Sequence, residues 1–125
     1  MKKIISTTNA PKAIGPYSQA VKTGNLVFVS GQLPLVPETM TFVAGGIKEQ
    51  TRQALTNAKA ILESAGTDLE GVVKTTVLLK DIGDFAAMNE IYGEFFEADC
   101  PARAAYQVVN LPLGALVEIE LIAAG

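Results

Sequence analysis

Residues 47–80 read IKEQTRQALTNAKAILESAGTDLEGVVKTTVLLK, and the fold turns on the change of period inside this stretch. Ile47, Ala54, Leu55, Ala58, Ile61, Leu62 and Ala65 recur at the spacing of one helical stripe, while Lys48, Glu49, Arg52, Lys59 and Glu63 fill the rest of the circumference. Gly66 stands where a helix end takes a left-handed residue, so a helix is predicted from Ile47 that stops at Gly66. From Val72 to Lys80 the pattern gives way to Val, Thr and Leu, the side chains that suit a pleated strand.

Downstream, Asp81-Ile82-Gly83-Asp84 precedes a second helical pattern, with Asp84 as its expected cap. That helix carries Phe85, Met88, Tyr92, Phe95 and Phe96 on one face and breaks before Pro101. Strands at Arg103–Asn110 and Leu116–Ala124 flank the turn Leu111-Pro112-Leu113-Gly114. Upstream, Tyr17–Lys22 and Leu26–Ser30 read as a hairpin across Thr23-Gly24-Asn25. Gln32–Gly46, with two prolines and two glycines, reads as a loop holding one short strand at Met40–Val43. The order β-β-(β)-α-β-α-β-β predicts one α+β domain over residues 1–125, with both helices on one face of a sheet.

The other sheet face is the informative one. Strand positions of both parities are apolar: Val73, Val77 and Leu79 against Val72 and Leu78, and Leu26 and Phe28 against Val27 and Val29. An antiparallel sheet with one wet face alternates into polar residues, and two helices cover only one side. A second copy of the chain is the simplest cover for the other, which predicts a homo-oligomer.

Composition excludes several classes of function. Of 125 residues, 49% are hydrophobic and 18% charged, a globular mixture. The formal charge of −3, with no basic run longer than Lys2-Lys3, argues against nucleic acid as a partner. Histidine is absent, which removes Ser-His-Asp and Cys-His catalysis and histidine metal ligation. The single cysteine, Cys100, precludes an intrachain disulfide and reads as incidental. No apolar run reaches the roughly 20 residues of a membrane span, and Ile4-Ile5 is too short for a signal segment, so a cytoplasmic protein without a membrane partner is expected.

Chemistry must then rest on carboxylates, Arg, Lys, Tyr, backbone groups or water. Arg103 opens a strand beside Ala104 and Ala105, where its guanidinium reads either as a fork for a carboxylate or as half of a surface ion pair. Glu118 and Glu120 alternate with Val117, Ile119 and Leu121, which sets both acids on one sheet face. They read as a water-orienting pair or as a solvated edge, and Ile122, continuing their face, points to partial burial. Asn89 falls on the apolar stripe of the second helix, either facing a ligand or serving a structural network. Ser30-Gly31 ends a strand where glycine permits close approach to the backbone, or simply turns the chain. Tyr17, after Gly15-Pro16, is a packing residue or a phenol at a pocket edge.

Taken together, Ile14-Gly15-Pro16-Tyr17-Ser18-Gln19-Ala20, Val29-Ser30-Gly31-Gln32-Leu33-Pro34, Val73-Lys74-Thr75-Thr76-Val77, Pro101-Ala102-Arg103-Ala104-Ala105-Tyr106-Gln107-Val108 and Val117-Glu118-Ile119-Glu120 closely resemble the RidA (YjgF-like) family of reactive-intermediate imine deaminases. The resemblance covers essentially the whole chain. It implies a chorismate-mutase-like α+β fold assembled as a homotrimer, with sheets inward, helices outward and clefts between subunits. The implied activity is hydrolysis of 2-imino acids, the tautomers of enamines released by pyridoxal-phosphate-dependent dehydratases, to 2-oxo acids and ammonia, without a cofactor or metal. By the same resemblance Arg103 and backbone Gly31 hold the substrate carboxylate and Glu118 positions the attacking water. Tyr17, Ser30 and Asn89 match positions lining the cleft. Many relatives carry Cys where this chain has Ala105, a departure that excludes thiol chemistry there. The alternatives are a carboxylate-binding or chaperone-like module without turnover, and a ribonuclease or translation inhibitor.

Overall fold

The computed structural model describes residues 1–125. Its strands are β1 (Lys2–Ile5), β2 (Ala20–Thr23), β3 (Leu26–Gln32), β4 (Leu35–Val36), β5 (Thr41–Phe42), β6 (Val72–Leu79), β7 (Ala102–Gln107) and β8 (Val117–Ala124). The helices are α1 (Ile47–Ser64) and α2 (Phe85–Phe95). The main sheet has the order β1-β2-β3-β8-β6-β7, and β4 and β5 form a separate small ladder. Only β6 and β7 run parallel. A parallel pair needs a crossover, and α2 supplies it.

Helix α1 ends as its glycine predicts. Gly66 has φ +86°, its N–H donates to Glu63 O at 3.1 Å, and Thr67 N–H donates to Leu62 O at 3.1 Å. These paired bonds satisfy carbonyls the last turn would otherwise orphan. At the other end the Glu49 carboxylate accepts from the Gly46 N–H at 2.8 Å.

Helix α2 starts differently from expectation. Asp84 makes no side-chain cap, because it already sits inside a 3-10 turn at Ile82–Asp84 with its N–H bonded to Asp81 O. The capping aspartate is Asp81, whose carboxylate accepts from Gly83 N–H at 2.8 Å. Other boundaries shift too. The first hairpin begins at Ala20 rather than Tyr17, and β7 ends at Gln107 rather than Asn110. Strands β1 and β4, both unpredicted, pair with β2 and with the short strand at Thr41–Phe42.

Seven sheet residues, Val27, Val29, Val77, Leu79, Val117, Ile119 and Leu121, pack with Leu55, Ala58, Ile61 and Leu62 of α1 and with Met88 and Tyr92 of α2 in one core. Leu26 and Phe28 point to the opposite face and stay exposed, as their parity predicts. Strand β6 departs from simple alternation. A register shift between Val72 and Lys74 puts Val72 in the core with Val77 and Leu79 and leaves Val73 exposed. The face turned away from the helices therefore carries Leu26, Phe28, Val73 and Tyr106 uncovered within one chain.

Candidate active site

The register between β3 and β8 shifts between Val29 and Gln32, so Ser30 and Gly31 bulge out of the ladder. Ser30 is tied down twice: its hydroxyl donates to Ser18 O at 2.6 Å and its N–H to Gln19 O at 3.0 Å. Gly31 lies against Glu118. A Cβ built on it would sit 2.5 Å from Glu118 Oε2 and 2.9 Å from the carboxyl carbon. The glycine does permit a close approach, and the group that approaches is this carboxylate.

Residues 14–19 form one wall. Tyr17 N–H donates to Gly15 O at 2.8 Å, and its phenol oxygen accepts from Ile14 N–H at 3.3 Å, leaving the ring half-exposed. Behind it Gln19, almost fully buried, donates to the carbonyls of Thr7, Ala10 and Pro11 and accepts from Thr7 N–H. Nothing in the sequence period flags this glutamine, because its partners are backbone groups of an irregular segment.

Tyr17, Ser30, Gly31, Glu118 and Glu120 line an open cleft of about 430 Å³, with Ile14, Leu33 and Pro112 as its apolar part. Glu118 is half-buried on the sheet face away from the helices, with Glu120 on the same face and exposed. Burial, and secondarily the Glu120 charge, hold the Glu118 carboxyl above the usual glutamate range. A larger hollow of about 580 Å³ between β1 and the 7–19 segment shares Tyr17 but contains neither of these acids.

Arg103 is elsewhere. It pairs with Thr75 in the parallel β6–β7 register, and Thr75 faces the core, so Arg103 projects on the helix side. Its Nη1 donates to Asn89 Oδ1 at 2.7 Å, and the guanidinium carbon lies 4.7 Å from the Tyr92 ring centroid and 5.4 Å from that of Phe85. Asn89 is exposed, contrary to its place on the predicted apolar stripe, because α2 presents it beside the open edge strand β7. Ala105 shares the Arg103 face and packs against the core. Cys100 is exposed, and its thiol donates to Phe96 O at 3.4 Å. No cluster of three acidic or thiol side chains is placed to ligate a metal.

The predicted site residues thus fall into two half-sites. Tyr17, Ser30, Gly31, Glu118 and Glu120 gather on one face; Arg103, Asn89 and Ala105 lie on the other. Within one chain the sheet separates the guanidinium from the carboxylate.

The family described as Endoribonuclease L-PSP matches residues 7–125. The chain belongs to this family. It is 54% identical to a 2-iminobutanoate/2-iminopropanoate deaminase of Mus musculus, over 98% of this chain and 91% of that protein. Among solved structures it resembles RidA from an Antarctic Psychrobacter, at 50% identity and a TM-score of 0.95, covering 98% of this chain and 99% of the other. It also resembles E. coli TdcF with bound serine, at 44% identity, a TM-score of 0.94 and 98% coverage of each. The mixed sheet with two helices is the fold of this family's solved members.

Proposed function

We propose that this chain is a hydrolytic deaminase of 2-imino acids, working in a homotrimer at clefts where Arg103 of one subunit faces Glu118 of the next. The carrying observation is the division of the site: the Arg103 guanidinium and the half-buried Glu118 carboxylate lie on opposite faces of one sheet, so in this reading they complete each other between chains. The uncovered apolar face with Phe28 and Tyr106 supports such an assembly. The deaminase name of the Mus musculus relative and the serine in the TdcF structure support an amino-acid-like substrate.

The chemistry asks little of the protein. In this reading Arg103 grips the substrate carboxylate with N–H groups that Asn89 leaves free, assisted by the Gly31 backbone. Tyr17 and Ser30 border the bound molecule. Glu118 takes a proton from a water as its oxygen adds to the iminium carbon, which is already electrophilic. The same proton passes to the departing nitrogen; as the C–N bond breaks, the regenerated Glu118 carboxylate takes the remaining hydroxyl proton, the carbonyl forms, and ammonia leaves with the 2-oxo acid, carrying that proton away as ammonium. Orientation of the reactants supplies most of the acceleration and the general base about 10²–10⁴-fold. The substrates fitting this chemistry are the imines that pyridoxal-phosphate-dependent dehydratases release, and a cytoplasmic location would place the protein beside such enzymes.

The test is to generate an imino acid in situ with an amino-acid oxidase, trap it with semicarbazide and follow the semicarbazone. Wild-type protein suppresses the trap, whereas Arg103→Ala loses about 10²–10³-fold in rate. Arg103→Lys recovers little, since a point charge does not replace the planar fork. Full activity in Arg103→Ala removes the assignment. Oxo-acid binding without turnover in the wild type moves the protein to the class of carboxylate-binding modules. The family's description prompts a second assay, for RNA cleavage; the acidic balance of the chain predicts none.

A further inference from the structure

Arg103 has four rotatable side-chain bonds and a place on the edge strand β7, so its one hydrogen bond to Asn89 leaves open what holds the guanidinium plane. The answer lies beneath it. The Tyr92 ring, only 6% exposed, sits 4.7 Å from the guanidinium carbon. Its hydroxyl meets Thr75 Oγ1 at 2.7 Å, and Thr75 is completely buried. Thr75 is in turn the β6 residue paired with Arg103 in register. Sheet, ring and guanidinium form a closed loop: the strand that places Arg103 also places the hydroxyl that fixes the ring on which Arg103 rests.

We propose that Tyr92, braced by Thr75, is a positioning residue that sets the plane in which Arg103 presents its free N–H edge to a carboxylate. The inference rests on the deaminase reading and deepens it. With its ring beneath the guanidinium carbon, Tyr92 occupies one side of the group and leaves the N–H groups turned away from the ring open to a ligand. Burial holds the phenol above its ordinary range, so the hydroxyl stays protonated and able to share its hydrogen with Thr75. Tyr92 itself touches neither water nor substrate in this scheme, so its loss should weaken carboxylate capture and leave the chemical step.

The experiment measures KM and kcat in the semicarbazide assay and, independently of turnover, the affinity for 2-oxobutanoate by calorimetry. Tyr92→Leu raises KM and the 2-oxobutanoate Kd about tenfold with kcat within about twofold of wild type. Tyr92→Phe keeps the ring and loses the brace, and raises both by about two- to threefold. In an Arg103→Ala background the Tyr92→Leu effect vanishes, because there is no guanidinium left to place. Wild-type KM and Kd in Tyr92→Leu overturn the proposal, as does an effect of undiminished size in the Arg103→Ala background, which marks a purely structural role. If Tyr92→Leu does not fold, Tyr92→Phe decides, and unchanged KM and Kd in that variant overturn the brace. Arg103→Ala with wild-type oxo-acid affinity overturns the deaminase reading itself, whereas a weakened Arg103→Ala beside an inert Tyr92→Leu overturns only the brace.

Discussion

Gly31 cannot take a methyl group without moving Glu118, since the added carbon would lie 2.5 Å from Oε2. What yields is the end of a flexible side chain, so Gly31→Ala should fold with little loss of stability while displacing the proposed base. A drop in kcat/KM of about tenfold or more at an unchanged urea midpoint is expected, since small misplacements of a reacting group are costly; unchanged kinetics would show that the carboxylate position is irrelevant. Glu118 also predicts a pH dependence. Burial and the Glu120 charge both oppose its ionisation, and only the carboxylate can accept a proton from water. Activity should therefore fall on the acid side through a one-proton limb, pushed up by burial and the Glu120 charge and pulled down by the Arg103 that faces Glu118 from the next subunit in the proposed trimer. Glu120→Gln removes the like charge and should move that limb to lower pH. The same raised pKa costs stability: below the unfolded value both states are protonated, and as pH climbs toward the folded value the unfolded chain ionises first. Glu118→Gln should cancel that loss, read as a flatter plot of urea midpoint against pH.

Helix α1 hides polar side chains in its buried face. Asn57 donates to the carbonyls of Leu33 and Leu35, and Gln50 accepts from Leu116 N–H, so the helix pins the loop after β3 and the entry to β8. Thr51 is as deeply buried, yet its hydroxyl has no partner. Thr51→Val keeps the shape and removes the orphan, and should raise stability by about 1 kcal/mol in urea unfolding; a lower midpoint would mean that the hydroxyl is satisfied in solution. The stripe from Ala54 to Leu62 was legible because burial of apolar groups imposes the helical period on the chain. Asn57 and Gln50 were not, because their partners are backbone groups dozens of residues away. Strand β1 was too short to show a period, with Ile5 its one buried residue, and it exists through pairing with β2. The parity of Val72 and Val73 was misread because the bulge in β6 is set by the ladder to β8 rather than by local residue type.

At the scale of the molecule, the identities of the site residues were readable and their arrangement was not. Glu118 follows plain alternation along β8, but the face taken by Arg103 depends on the parallel pairing of β7 with β6, a long-range fact that no local pattern carries. That pairing sends the two groups to opposite sides of the sheet, which makes the proposed site testable by subunit mixing. Arg103→Ala and Glu118→Gln should each be nearly inactive alone. Co-expressed with different tags and purified through both, they give mixed trimers only. In a ring of three containing both variants, whatever their ratio, one interface joins an intact Arg103 to an intact Glu118, so about a third of wild-type activity should return. A site built from a single chain would give none, because every subunit in the mixture carries one lesion. Phe28→Glu, which charges the uncovered face, should yield monomers in sedimentation and abolish activity together with assembly; active monomers would show that Arg103 and Glu118 have no need of each other.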